Sequence, residues 1–212
     1  MAGTLSLAEW TVLALLREQP AHGFAIAQLT APGGELGRIW RIPRPVVYRS
    51  IGRLVDAGLI TPESVEPGFG PQRTIYAVTA PGRREAENWL STPVEHVRDI
   101  RSHLLIKLAL LHRAGWDPAD LLRRQRAVLD PIAQAIEAQR AELDGFDAVL
   151  LAWRRATAAA ALGFLDELTP QVTELPGTQA SRSSRLRLAR RLRAQDPHEP
   201  APAAVTSEAV AG

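Results

Sequence analysis

Five arginines, Arg38, Arg41, Arg44, Arg49 and Arg53, lie between Glu35 and Asp56 with no acid among them. Guanidinium groups in such a run can neutralise phosphates and donate paired hydrogen bonds to base edges. The last three fall on a segment that reads as one short, well-terminated helix. Pro45 suits a first helical position, and Val47, Ile51, Leu54 and Val55 recur at three- and four-residue steps. Gly58 suits a left-handed stop, after which Leu59 folds back onto the last turn. The opposite face then offers Arg49, Arg53, Ser50 and the Tyr48 hydroxyl, with Arg44 at the entrance. Gly52 leaves that backbone open to close approach. A second basic run places six arginines between Arg182 and Arg193.

Composition tempers this reading. Net charge is only +2, and Lys107 is the single lysine among 25 basic residues. An arginine-rich chain puts arginine on any solvated face, so position matters more than number. Other chemistries find no support. There is no cysteine, which removes disulfides, thiolate nucleophiles and Cys-based zinc sites. The five histidines, His22, His96, His103, His112 and His198, show no metal-binding spacing. Gly68-Phe69-Gly70 lacks the third glycine of a dinucleotide loop, since Arg73 stands there, and no phosphate-binding loop or nucleophile elbow is present. No catalytic residue, metal or cofactor is expected. Apolar runs such as 104–111 fall well short of the about 20 residues that span a bilayer, and no signal peptide is visible. A cytoplasmic protein without membrane contact is expected.

The elements that must carry the arginines follow from caps and breaks. Ser6 and Glu9 have capping-box spacing, opening a helix that ends before Pro20. A second helix begins near His22-Gly23 and takes in Phe24, Ile26 and Leu29. After the loop at 31–34 comes the arginine helix, then a hairpin with arms around 59–65 and 73–78. Pro62 confines the first arm to an edge or bulge. Thr79 caps a fourth helix running through Trp89-Leu90. Three helices and a hairpin in this order are the layout of a winged helix-turn-helix, with Arg73 a candidate wing contact. Beyond it the chain reads as helices: an apolar one over 100–113, one after Asp117-Pro118 striped by Leu122, Gln125, Leu129, Ile132, Ile136, Gln139 and Leu143, and one striped by Val149, Leu150, Trp153, Ala156, Ala160, Phe164 and Leu168. Pro131 should kink or split the second of these. Residues 170–212 read as a disordered arginine-rich tail that adds phosphate attraction.

Several of these segments together resemble the PadR family of bacterial transcriptional regulators. His22-Gly23-Phe24 matches the family's second helix, 47–51 its recognition helix, and Tyr76 to Gly82 its wing closure. The C-terminal helices are similar to the longer subgroup related to virulence activators. The resemblance implies a mainly α fold with a small β-hairpin. It divides into a winged DNA-binding domain (1–91), a helical dimerisation domain (92–169) and the tail (170–212). It also implies a homodimeric repressor that binds double-stranded operator DNA, an inverted repeat, and is released by a signal or small-molecule effector. Arg44, Tyr48, Arg49, Ser50, Arg53 and Arg73 would face the DNA, with Tyr48 against the DNA backbone. The chain departs from the pattern at Pro43, Pro45 and Arg49. The rival reading is a winged-helix interaction module that binds protein, which would lack the steep salt dependence of phosphate binding.

Overall fold

A computed structural model describes residues 5–66, 72–139 and 144–174, the side chains of 66 and 169–174 excepted. The hairpin tip, Leu143 and nearly all of the expected tail lie outside the described residues.

Helix α1 (Leu7–Glu18) starts at the expected capping box. The Ser6 N–H donates to Glu9 Oε2 at 2.6 Å, and the Glu9 N–H donates to Ser6 Oγ at 3.4 Å. Strand β1 (Ala21–His22) and helix α2 (Gly23–Thr30) follow. Helix α3 (Arg44–Asp56) carries Pro45 in its second position rather than its first, because Pro43 serves as the N-cap. It ends as the glycine implied. Gly58 has φ +68°, the Gly58 N–H donates to Val55 O, and the Leu59 N–H donates to Leu54 O.

Strands β2 (Ile60–Glu66) and β3 (Arg73–Val78) form the hairpin, and β1 adds a third antiparallel strand in the order β1-β3-β2. Pro62 lies on the outer strand β2 at a register shift, which accommodates its missing donor. Thr79 caps α4 (Ala80–Ser91) by accepting from the Gly82 N–H, while its hydroxyl lies 2.8 Å from Gly58 O. One side chain thus joins the end of α3 to the start of α4.

The expected helix over 100–113 begins as a π-helical turn, Ile100–Leu104, before α5 (Leu105–Ala114). Helix α6 (Ala119–Ala138) starts one residue later than expected, since Asp117 Oδ1 accepts from the Ala119 N–H. It is not split: α6 runs through Pro131. Helix α7 (Gly145–Glu174) continues past the expected boundary at 169. Against α6 it buries Ala158, Ala161 and Leu165, a different face from the stripe named above. Phe146, Val149 and Trp153 stand exposed, Trp153 by 68%.

The helical part is tied to the winged part by buried polar groups. Gln125, wholly buried on α6, clasps the backbone of Val94: its Oε1 accepts from the Val94 N–H at 2.7 Å and its Nε2 donates to Val94 O at 2.9 Å. The Lys107 ammonium, 3% exposed, donates to Thr92 O and sits 4.9 Å from the Trp89 ring. That ring stacks on Trp10 at 5.5 Å. Residues 92–94 are therefore held by both α5 and α6 rather than strung as a free linker.

Burial pulls Lys107 down to about 8. Between pH 8 and its ordinary value the unfolded chain keeps a proton that the folded chain has released, so stability rises with pH across that window. At lower pH both states are charged and the full desolvation penalty applies. Between pH 7 and 9.5 the wild type should gain about 2 kcal/mol relative to Lys107→Met. Parallel denaturation midpoints for the two proteins across that range would refute this.

Candidate nucleic-acid interface

The exposed side of α3 and the wing meet around Phe24 on α2. The Arg44 guanidinium lies 5.1 Å from the Phe24 ring and 5.6 Å from the Tyr48 ring, and that of Arg73 lies 5.6 Å from Phe24. Both are cation–π distances, so one half-buried ring sets the start of α3 and the first residue of β3 side by side. The sequence places Phe24 on the second helix and assigns it no contact. Its position at an i+1 step from Gly23 held nothing that marked it as the hub of two arginines.

Gly23 has a steric reason. A Cβ there would come within 2.8 Å of Tyr48 Cε1, so the missing side chain lets the Tyr48 ring pack down on α2 while staying 45% exposed. His22 caps α2 through Nδ1, which accepts from the Ala25 N–H at 3.0 Å. The His-Gly-Phe triplet thus has three separate jobs: a cap, a space and a platform.

The structure brings Arg44, Tyr48, Arg49 and Arg73 to the accessible surface as expected. Ser50 is different. It is 3% exposed and falls on the buried stripe of α3, three residues after Val47 and four before Leu54. The sequence reading sorted it by polarity, whereas helical spacing assigns it to the inner face. It therefore lines a cleft instead of standing on the exposed surface.

Arg53 is also qualified. Its Nη1 lies 3.0 Å from Oε1 of Glu9, whose side chain is 2% exposed. The same carboxylate takes the Ser6 N–H and Ser6 Oγ on its other oxygen. The helix charge that looked uncompensated has an acid after all, supplied by α1. Arg53 stays largely exposed beyond that contact, but a buried carboxylate orients it.

Arg38, Arg41, Arg44 and Arg49 make no ion pair with an acid among the described residues. Arg73 shares the Phe24 ring with Arg44, and Arg41 and Arg49 line one cleft, so positive charge is presented by the loop before α3, by α3 and by the wing. Such a surface can attract a polyanion and present paired donors to base edges. Among the described residues no group of three or more His, Asp or Glu side chains could hold a metal ion.

Comparison with known proteins fits this geometry. Residues 12–88 match the sequence profile of the transcriptional regulator PadR-like family. The chain is 23% identical over 134 residues to the negative transcriptional regulator PadR of Bacillus subtilis (strain 168), covering 61% of this chain and 72% of that protein. Among solved structures, Bacillus subtilis PadR in complex with operator DNA aligns over 76% of this chain and 97% of its own, at 18% identity and a TM-score of 0.39. The same protein in complex with p-coumaric acid aligns over 79% and 96%, at 18% identity and a TM-score of 0.35. A PadR-like regulator from Bacillus cereus aligns over 78% and 98%, at 17% identity and a TM-score of 0.35. The matched segment runs from the middle of α1 through most of α4 and includes the elements that carry the arginine surface. The likeness to the PadR-like family of transcriptional regulators is thus carried by residues 12–88, the segment that holds the candidate interface.

Proposed function

We propose that the protein is a homodimeric repressor in the cytoplasm that reads an inverted-repeat operator and lets go of it in response to a signal or small ligand. The observation that carries the DNA-reading part is the joined surface of Arg44, Tyr48, Arg49 and Arg73. In a winged helix-turn-helix, α3 lies in the major groove and the wing runs along the flanking backbone. Arg44 and Arg73, held on one aromatic ring, then reach DNA as a fixed pair. Arg49, with no acid beside it, is the best placed to read a base. Repression follows the similarity to a negative regulator.

The dimer rests on α7. Phe146, Val149 and Trp153 form an exposed apolar stripe, and further along the helix Ala160 and Phe164 wall a cavity of about 280 Å³ with Val97, Ile100 and Leu105. Contiguous apolar surface of this kind marks a contact site. Gly145–Leu168 is also long and apolar enough to cross a membrane, at a mean hydropathy of 1.3. The adjacent Arg154 and Arg155 lie mid-segment, however, and each costs about 2.5–3.5 kcal/mol at a bilayer centre. A second copy, offering the same stripe across a two-fold axis, suits the face better.

Duplexes selected from random DNA should contain an inverted repeat, and their affinity should fall steeply with salt. Arg49→Ala should lose about 1–3 kcal/mol at one base position, whereas Arg53→Ala should weaken all sequences alike by loosening α3 from Glu9. A five-base-pair insertion between half-sites turns one groove to the far side of the duplex and should abolish tight binding. Salt-insensitive binding, or tolerance of the insertion, would count against the reading and favour a protein-binding module.

A further inference from the structure

A second tie joins the helical part to the winged part, and it reaches the loop that leads into α3. A helix-turn-helix needs a turn of only about 3–4 residues, whereas residues 31–43 separate α2 from α3 here. This loop is packed rather than trailing. Leu36 and Ile42 are buried, the Leu36 N–H donates to Leu29 O at 2.9 Å, and the Ile42 N–H donates to Thr30 O at 3.1 Å. A Cβ at Gly34 would come within 2.2 Å of Gln28 O, and one at Gly37 within 1.6 Å of Ala31 O. Only glycine lets the loop lie so close to the end of α2. Outward it carries Arg38, Trp40 and Arg41, all exposed.

Arg113, near the end of α5, grips this loop from the helical side. Its Nε donates to Glu18 Oε1 at 3.2 Å and its Nη2 to Glu18 Oε2 at 3.0 Å, a paired contact with the last residue of α1. The remaining arm, Nη1, donates to Glu35 Oε2 in the loop. A planar fork can hold two acids in this way, whereas the point charge of a lysine could not. Arg113 and Glu18 are buried, but the Glu35 side chain stays 35% exposed. Next to Glu18, the Arg17 guanidinium lies 3.7 Å from the ring of Trp116, just beyond α5. The end of α1 is thus fixed twice to the end of α5, and Glu35 extends that hold to the loop.

We propose that Arg113 is a positioning residue for DNA binding: through Glu35 it holds the loop before α3, and with it Arg41 and the Pro43 cap, in the posture that meets the operator. The inference rests on the DNA-binding reading above and extends it to a residue outside the arginine face. Glu35 stands at one end of the acid-free run, so its charge by itself works against a polyanion. Its role is mechanical, because the ion pair forms only when the loop lies against α1 and α5. Without the pair that posture becomes one of several, and apparent affinity falls in proportion to its population. The helical part thereby holds the reading face at a point separate from residues 92–94.

The test uses the full chain and its selected duplex. Glu35→Ala removes an acid beside the arginines, so charge alone predicts tighter binding. Positioning predicts the opposite: binding weaker by about threefold per half-site, and so by about tenfold on the two-site operator. Glu35→Gln, whose amide oxygen can still accept from Nη1, should recover part of the loss. In the free protein, hydrogen exchange should quicken in Glu35→Ala at the amides of Ile39, Trp40 and Ile42, which close the loop onto Leu36 and Thr30. The thermal midpoint should stay near that of the wild type, because the Glu18 pair remains. Glu87→Ala, which cuts the 3.1 Å pair of Arg17 and Glu87 between α1 and α4, should change neither affinity nor loop exchange. Operator affinity in Glu35→Ala equal to or above that of the wild type overturns the positioning role. So does weaker binding with unaltered loop exchange. If the unmodified protein binds duplex without salt dependence, the DNA-binding reading falls and the positioning role with it, a result separable because it needs no variant.

Discussion

Trp153→Glu should convert the protein to a monomer and cost about 10²- to 10⁴-fold in operator affinity. The side chain is 68% exposed in a single chain, so a charge there leaves the fold intact. In a dimer the same position faces its symmetry mate, where two new carboxylates would be desolvated together. The affinity loss follows from linkage of two reading heads. Once one is bound, the second binds its half-site at an effective concentration set by the connecting structure, and avidity gains of this order disappear with the connection. Sedimentation and operator titration of the same sample check both halves. A variant that stays dimeric at full affinity would show that the stripe of Phe146, Val149 and Trp153 serves something else.

Arg113→Met should destabilise the fold by about 3–5 kcal/mol, the range for removing one partner of a buried ion pair. Arg113 on α5 is 6% exposed at its side chain and holds two acids at once. Its Nη2 lies 3.0 Å from Glu18 at the end of α1, and Nη1 contacts Glu35 in the loop leading to α3. Without it Glu18 keeps its burial and loses its counter-charge. Burial already raises the Glu18 carboxyl, with Arg113 pulling the other way. Its pKa in the variant should therefore climb further. An acid whose folded pKa exceeds its unfolded value binds an extra proton only when folded, so the variant should recover stability as pH falls from 7 towards 5. Adding Glu18→Gln should recover part of the loss at pH 7. A destabilisation below about 1 kcal/mol would mean that the triad is dispensable.

The most legible parts of this chain were those decided by nearest neighbours. Ser6 with Glu9, Thr79, and Gly58 with Leu59 each close a hydrogen bond within a few residues, and each stands where its spacing implied. Strand β1 was not legible, because two residues have no periodicity. It exists through pairing with Ile75 and Tyr76, far along the chain. The Glu9–Arg53 pair is hidden for the same reason: an acid on α1 and a base on α3 meet only after both helices pack. Helix α7 defeated pattern reading in another way. It is apolar on several sides, so spacing alone could not choose between the face of Ala158, Ala161 and Leu165 and that of Phe146, Val149 and Trp153. Within the candidate interface, the arginines were visible by type, but the aromatic hub at Phe24 and the inward turn of Ser50 needed three dimensions.

The clasp of Gln125 on Val94, backed by Lys107 on Thr92, reaches beyond stability. In a dimer joined through its long helices, it makes the body a ruler: the gap between the two reading heads is written in α6 and α5, not in the heads themselves. Recombination that exchanged residues 1–91 with those of a relative would carry over the letters of a new address while keeping the old distance between its two words. A lineage of such regulators can drift to new half-sites by changing single arginines, but it acquires a new spacing only when the clasp and the head change together.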